Sequence, residues 1–268
     1  STQSDHISYD YQWLYAPYIN KAAVALSFIT RYNHRILKPT LIPKLNQSVL
    51  TNTVRAVNRV NRFTAGNLLQ KKLVLLERPL AYLTYQLYRK LHHNRIQSIR
   101  LWNGQRLPVF SNDPEVFYLS NFGILPAVEH NVINYLIRNL KKTDVFYDIG
   151  ANYGFYTKLV QGIVTDGWVH SFEPHTKTYR CLKQLETLNT RVHNLALGDH
   201  DGNLSLHHSR RGSGKSTIVA DLADSTDTTL VRIRTLDDFV NTHPAPSIIK
   251  LDVEGAEKLV LDGGKKFC

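Results

Sequence analysis

The residues best suited to chemistry in this sequence are carboxylates that follow short apolar runs. Asp148, Glu173 and Asp252 each end or follow a run rich in β-branched and aromatic residues. Such runs predict buried strands. Because the carboxyl ends of parallel strands meet at one edge of a sheet, the three side chains are expected to face one crevice. Carboxylates placed there can accept hydrogen bonds from a ligand's hydroxyls or remove a proton from a substrate.

A glycine-bounded turn follows the first of these strands. Gly150 and Gly154 bracket Ala151 and Asn152, and a helical pattern begins directly afterwards. A turn of this kind needs residues without a Cβ, and the helix start offers free N–H groups. The pattern predicts a nucleotide-shaped pocket. The alternative is an ordinary strand-to-helix turn with a solvated Asp148.

A second acid stands at the distance that nucleotide-binding units use. Glu173 follows the run 168–172 and lies 19 positions after Gly154. Acids in this place accept hydrogen bonds from ribose hydroxyls. The alternative is a surface carboxylate that caps the helix beginning near Thr176.

Two further strands are predicted to end at the same edge. Residues 191–199 form one run that ends in a Gly-Asp pair, and 247–251 form another. Period-2 geometry puts Lys250, Asp252 and Glu254 on one face of the last strand. Glu254 and the nearby Glu257 have an alternative role as acids that stabilise a helix N-terminus.

Taken together, these motifs resemble those of one enzyme family. Their order along the chain is the specific feature, more than any single piece, and the similarity covers roughly residues 98–264. The chain resembles the FkbM-type S-adenosylmethionine-dependent methyltransferases in Asp148-Ile-Gly-Ala-Asn-Tyr-Gly, Phe172-Glu-Pro, Asn194-Leu-Ala-Leu-Gly-Asp, Thr235-Leu-Asp-Asp and Ile249-Lys-Leu-Asp-Val-Glu-Gly-Ala-Glu. The resemblance implies a class I methyltransferase-like, doubly wound α/β sheet. It also implies S-adenosyl-L-methionine (SAM) as cofactor and methyl transfer to a hydroxyl of a sugar, glycan or natural-product-like acceptor.

The resemblance also assigns roles to residues. The methionine part of SAM would lie on Gly150, Ala151, Asn152 and Gly154, with Asp148 orienting that turn. Glu173 would bind the ribose, and the adenine would lie on Asn194, Ala196 and Leu197. Asp252 is the first candidate for the base that activates the acceptor hydroxyl, and Glu254 is the second. Lys250 is either an ion-pair partner of Asp252 or a structural residue.

Charge divides the 268-residue chain into two parts. Residues 1–97 contain 14 Lys and Arg against three Asp and Glu, whereas residues 98–268 contain 19 of each. The whole formal charge of +11 therefore belongs to the first part. We predict a basic helical segment at 1–97 and a methyltransferase-like domain at 98–268. After the Asp252 strand only residues 258–268 follow, so the sheet is expected to be truncated after its fourth strand, with an unpaired edge.

The basic segment combines helical periodicity with cations. Apolar spacing predicts one amphipathic helix over 47–76 and a second over 80–91. The interpretation without a binding function is that the cations form a solvated face of helices packed on the catalytic domain. The functional alternative is contact with an anionic membrane or an acidic acceptor. Nucleic-acid binding is disfavoured because no recognisable binding module accompanies the charge.

Composition and motif spacing exclude several other classes. The 12 histidines and two cysteines show neither metal-ligand spacing nor a disulfide framework, so we predict no metal and a reducing, cytoplasmic compartment. The run Gly212–Thr217 suggests a phosphate-binding loop, but Ser209 stands where that motif requires glycine. A polar loop at the acceptor site is the preferred interpretation.

A NAD-dependent oxidoreductase is disfavoured because the turn lacks the full dinucleotide glycine pattern. A non-catalytic membrane- or nucleic-acid-binding protein with this fold remains an alternative.

Overall fold

The computed structural model describes residues 23–26, 44–91, 95–114, 116–125, 129–209, 212–222 and 227–267. The strands are β1 (Ala23–Leu26), β2 (Ile96–Arg100), β3 (Arg106–Phe110), β4 (Val145–Ile149), β5 (Trp168–Phe172), β6 (Thr190–His193), β7 (Ala196–Gly198), β8 (Gly202–His207), β9 (Thr228–Thr235) and β10 (Ile248–Leu251). The helices are α1 (Lys44–Ala65), α2 (Leu68–Leu76), α3 (Pro79–Leu91), α4 (Val116–Phe122), α5 (Glu129–Asn139), α6 (Phe155–Gln161), α7 (Thr176–Leu182), α8 (Leu236–Val240) and α9 (Glu257–Asp262).

The predicted α/β architecture is confirmed, with a central sheet in which every strand pair is parallel. Its strand order is β1-β10-β4-β5-β6. The chain runs outward from β4 through β5 to β6, and β10 then adds on the other side of β4. The strand order therefore reverses between β4 and β10, and such a reversal opens a crevice at the carboxyl ends of the strands.

The two faces of this sheet are covered by separate apolar clusters, as buried parallel strands require. Tyr147 and Ile149 pack with Phe172 and Phe239 on one face. Phe146 and the side chains of α5, α6 and α7 pack on the other. The alternation along β4 leaves Asp148 on the second face, fully buried.

The third predicted strand is wrong in one respect. Residues 191–199 form two strands rather than one, because β6 pairs with β5 while β7 pairs with β9. Asn194 lies at the break, and its side-chain amide donates to the carbonyl oxygens of Glu173 and Pro174 at 2.9 and 3.0 Å. β7, β9 and β8 form a second, three-stranded sheet. In this sheet β8 and β9 form an antiparallel pair.

The prediction of an unpaired sheet edge beside the Asp252 strand is also wrong. β1 pairs in parallel with β10, so the segment predicted as helical contributes a strand to the central sheet. A strand edge presents free N–H and C=O groups, and an apolar segment such as Ala23–Leu26 satisfies them. On either side of Gly104, β2 and β3 form an antiparallel hairpin.

The basic segment contains two helices where the spacing predicted one over 47–76. α1 ends at Ala65, and a Cβ on the next residue, Gly66, would lie 2.5 Å from the carbonyl oxygen of Arg62. Asn67 then caps α2 in a reciprocal capping box with Gln70. The helices pack on the rest of the domain, since Phe63 contacts Phe117.

None of the helices within the described residues combines the length and the apolar character needed to cross a bilayer.

Candidate active site

A cavity of about 490 Å³ opens at the strand-order reversal. Its walls come from the turn after β4, the residues that follow β5, the start of β7 and the end of β10. The turn over 213–216, predicted as a polar loop at the acceptor site, closes one side. A volume of this size suits a nucleoside-sized cofactor with part of a substrate.

The glycine turn forms the floor of the cavity. Gly150, Asn152 and Gly154 have φ of 75°, 51° and 86°, in the left-handed region. A Cβ on Gly150 would lie 1.9 Å from the carbonyl oxygen of Asp252. Glycine is therefore required here by the close approach of β4 and β10. The N–H groups of Gly150 and Ala151 both donate to the carbonyl oxygen of Phe172, which ties the turn to β5.

Glu173 joins the turn to the second strand. Its side chain is buried, and its two carboxylate oxygens accept from the N–H groups of Asn152 and His175 at 2.7 and 2.8 Å. Burial raises the pKa of this carboxyl to about 7, although the two N–H donors oppose the shift. Glu173 lines the cavity. The predicted alternative of a surface helix cap does not describe it, since His175 caps α7.

Asp148 and Lys250 form a buried ion pair beneath the turn. The Lys250 Nζ lies 3.4 Å from Asp148 Oδ1 and donates to the Gly150 carbonyl oxygen at 2.8 Å. Asp148 Oδ2 accepts from the N–H and the hydroxyl of Thr157 at 2.9 and 2.7 Å. Asp148 is absent from the cavity wall, whereas Lys250 lines it. Asp148 therefore binds the first turn of α6 directly and is linked to the glycine turn through Lys250. Lys250 also lines the cavity.

Asp252 lies at the opposite side of Lys250. Its Oδ2 is 3.8 Å from Lys250 Nζ, and its side chain is 36% exposed. Of the two carboxylates near Lys250, Asp252 is more accessible than Asp148, and it lines the cavity. A carboxylate in this position can reach a substrate proton without disturbing the buried pair.

Glu254 is held by the turn that closes the cavity. Its Oε1 accepts from Lys215 Nζ at 2.7 Å, and its carbonyl oxygen accepts from the Thr217 hydroxyl at 2.8 Å. Burial raises the pKa of its carboxyl against the opposing effect of Lys215. Glu257 accepts from the N–H groups of Val253 and Gly255, as expected of an acid at a helix start.

The same turn is anchored on the other side of the cavity through contacts that include Asp113, a residue that sequence reasoning missed. Ser213 donates through its hydroxyl to Asn152 Oδ1 at 3.0 Å and through its N–H to Asp113 Oδ2 at 3.1 Å. That Asp113 oxygen also accepts from the Tyr153 hydroxyl. The turn therefore spans the cavity mouth from Asn152 to Glu254. No spacing links positions so far apart, so the sequence held no signal for this bridge.

The structure brings most of the predicted site residues to one cavity. The lining includes Gly150, Ala151, Asn152, Glu173, Ala196, Leu197, Asp252 and Glu254. Asp148, Gly154 and Asn194 are absent from it: the first and third bind the backbone of neighbouring segments, and Gly154 is the N-cap of α6. Among the described residues no cluster of three or more His, Cys, Asp or Glu is arranged to hold a metal ion.

The site fits the cofactor that the resemblance implies. Glu173 stands at the end of β5 with a carboxylate at the wall, and Leu195, Ala196 and Leu197 supply an apolar surface beside it. The turn over Gly150–Gly154 supplies backbone at the start of a helix. A nucleoside with an amino-acid arm requires an acid that accepts hydrogen bonds from the ribose hydroxyls. It also requires an apolar surface for the nucleobase and a polar backbone turn for the amino-acid arm.

Comparison with known proteins points to one family. Residues 148–268 match the sequence profile described as the methyltransferase FkbM domain. A solved structure, the methyltransferase FkbM from Methylobacillus flagellatus KT, is 20% identical with a TM-score of 0.35. The match covers 48% of this chain and 30% of that one, so the chain spans less than a third of that protein's length. No curated protein matches the chain. The resemblance seen in the sequence motifs is confirmed, with the matched residues beginning at 148 rather than 98.

Proposed function

We propose that this chain, whose residues 148–268 carry a methyltransferase FkbM domain, is a SAM-dependent O-methyltransferase. The observation that supports this most directly is the meeting of the glycine turn, Glu173 and Asp252 at one cavity where the strand order reverses. When bound, SAM supplies a methyl group attached to a positively charged sulfur, and the carbon of that methyl group is open to attack by an oxygen nucleophile.

Different residues of the cavity bind different parts of SAM. The backbone of Gly150, Ala151 and Asn152 holds the methionine part, and Glu173 accepts from the ribose hydroxyls. Ala196 and Leu197 cover the adenine. Holding the acceptor oxygen in line with the bond to be broken supplies much of the catalysis.

Asp252 is the base in this proposal. An acceptor hydroxyl becomes a strong nucleophile only as its proton is drawn away, and a carboxylate within reach can take that proton. Asp252 is accessible at the cavity wall and is 3.8 Å from Lys250. Glu254 is the second candidate, but its carboxylate is already engaged by Lys215 at 2.7 Å.

The acceptor in this proposal is a hydroxyl of a sugar, a glycan or a related natural product. Ser213, Lys215 and Ser216 line the same cavity as Asp252. Hydroxyl and ammonium groups of this kind suit a polyhydroxylated molecule, because each can pair with a hydroxyl. The sparse cysteines support a cytoplasmic location as part of the same proposal.

Transfer of an isotope-labelled methyl group tests the function. The full chain is incubated with a glycan extract and SAM carrying a labelled methyl, and mass spectrometry locates the label. We expect a labelled ether methyl on a hydroxyl. Calorimetry with SAM and with NAD accompanies the assay, and binding of NAD without binding of SAM would overturn the proposal in favour of an oxidoreductase. Binding of neither cofactor would favour a non-catalytic protein.

The raised pKa of Glu173 predicts a pH dependence of SAM binding. The ionised carboxylate is the better acceptor for ribose hydroxyls, and its pKa is about 7. As the pH falls from 8 to 6 the carboxylate takes up a proton, so the Kd for SAM should rise about tenfold. Calorimetry at both pH values measures this change.

A matched variant separates Glu173 from other titrating groups, including the amine of SAM itself. Glu173→Gln cannot titrate, so its Kd should exceed that of the unchanged chain at pH 8 and vary less with pH. An equal pH dependence in the two proteins would contradict the role of Glu173.

A further inference from the structure

The helices α2 and α3 expose leucines on the side turned away from the core. Each of these side chains is between 54% and 79% exposed, whereas Val74 and Tyr85 on the opposite sides are buried. Soluble monomers expose single leucines often but rarely so many on neighbouring helices. We call this surface the leucine face; it consists of Leu68, Leu69, Leu73, Leu76, Leu80, Leu83, Leu87 and Leu91.

The spacing places most of these exposed leucines on one side of each helix. In α3 they recur at intervals of three, four and four residues, from Leu80 to Leu91. In α2 the same kind of interval links Leu69 to Leu73 and Leu76. Intervals of three and four place side chains on one helix face. The face is therefore a regular feature of both helices.

Positive charge surrounds the leucine face. Residues 44–91, which contain α1 to α3 and their connections, include nine Lys and Arg but a single acid, Glu77. That acid already binds Arg59 and Arg62 at 3.0 and 2.8 Å. Lys72 is exposed four residues from both Leu68 and Leu76, and Lys90 is exposed one turn from Leu87. Within residues 44–91 the exposed surface thus combines leucines with cations, and its one acid is already paired with arginines.

This charge decides between occupants of the face. A second copy of the chain would bring one basic surface against another, which opposes association. A protein groove would bury Lys72 among leucines and would have to pair it. At a bilayer surface the leucines enter the acyl boundary, while the lysine side chains extend outward to the lipid phosphates.

We propose that the leucine face binds the surface of a membrane rich in anionic lipids. The 13 residues of α3 measure about 20 Å, less than the ~30 Å of a hydrocarbon core, so the helix lies along the surface. Leu83 and Leu87 contact the acyl chains, and Lys72 and Lys90 contact headgroup phosphates. This contact is separate from the catalytic cavity and does not depend on the proposed methyl transfer.

Vesicle flotation with the full chain tests the proposal. Vesicles of phosphatidylcholine alone are compared with vesicles of equal parts phosphatidylcholine and phosphatidylglycerol. We expect binding to the anionic vesicles only, weakened by salt. The double variant Leu83→Glu/Leu87→Glu should lower the bound fraction at least tenfold, and Lys72→Glu/Lys90→Glu should lower it severalfold.

Matched substitutions elsewhere provide the controls. Leu188 is 93% exposed in the methyltransferase part of the chain, and Lys142 is exposed there as well. Leu188→Glu and Lys142→Glu should bind vesicles like the unchanged chain. Circular dichroism shows whether each variant is folded.

Four results would overturn the proposal. The first is no binding to either vesicle, and the second is equal binding by the unchanged chain and the folded Leu83→Glu/Leu87→Glu variant. The third is a dimer in light scattering that dissociates in this variant while vesicle binding is absent, which would assign the face to a second copy. Binding to an oligonucleotide but not to vesicles would likewise reject a lipid partner.

Discussion

Replacement of Asp252 by Asn is expected to lower kcat by about 10²- to 10⁴-fold, the usual contribution of a general base. The amide is nearly the same size but cannot take up the proton of the acceptor hydroxyl. Because the turn, Glu173 and the Asp148–Lys250 pair are left intact, the Kd for SAM should change by less than about threefold. Turnover with labelled SAM and calorimetry measure the two quantities.

Two further variants make this result specific. Asp166 is an exposed carboxylate outside the cavity lining, so Asp166→Asn should turn over at the normal rate. Glu254→Gln should raise the KM for the acceptor more than it lowers kcat, because Glu254 holds the turn that contains Lys215. A large loss of kcat in Glu254→Gln with normal turnover in Asp252→Asn would assign the base to Glu254 instead.

Replacement of Lys250 by Met should be the most destabilising of these substitutions. It removes the ammonium that lies 3.4 Å from Asp148 Oδ1 and leaves a fully buried carboxylate without its counter-charge. Loss of one partner of a buried pair costs about 3–5 kcal/mol of unfolding free energy. For a domain of this size the midpoint of thermal unfolding should fall by roughly 6–20 °C. Scanning calorimetry without SAM measures the change.

A second substitution identifies the physical cause. The double variant Asp148→Asn/Lys250→Met removes both charges, so it should recover part of the lost stability. Lys258→Met provides the matched control, because that lysine is 69% exposed and pairs with Asp262 one turn along the same helix. Equal stability of Lys250→Met and Lys258→Met would show that the buried pair contributes little.

The acids of the site were predictable because local patterns place them. Asp148, Glu173 and Asp252 each follow an apolar run, and such runs form strands whose ends meet at one edge. The positive φ of Gly150 and Gly154 was predictable from glycine itself. The sequence did not predict which of the three acids reaches the cavity. The alternation along β4 buries Asp148, whereas Asp252 lies beyond the end of β10.

The errors of sequence interpretation also have physical causes. The run 191–199 is uniformly suited to strand, and only pairing with two different sheets divides it at Asn194. The helix predicted over 47–76 is divided at Gly66, where the backbone leaves no room for a Cβ beside the Arg62 carbonyl oxygen, and Asn67 starts a new helix with a capping box. A partner strand for β10 came from residues more than 200 positions away, which no local pattern encodes.

By itself the sequence determined the α/β class, the resemblance to the FkbM-type methyltransferases, the glycine turn and the set of acids near one edge, since each depends on residue type and short-range spacing. The tertiary structure alone decided that Lys250 links Asp148 to Asp252, that Ser213 and Lys215 close the cavity, and that the leucines of α2 and α3 stay exposed. These features depend on contacts between distant segments. Such contacts form only when the packed core brings those segments together.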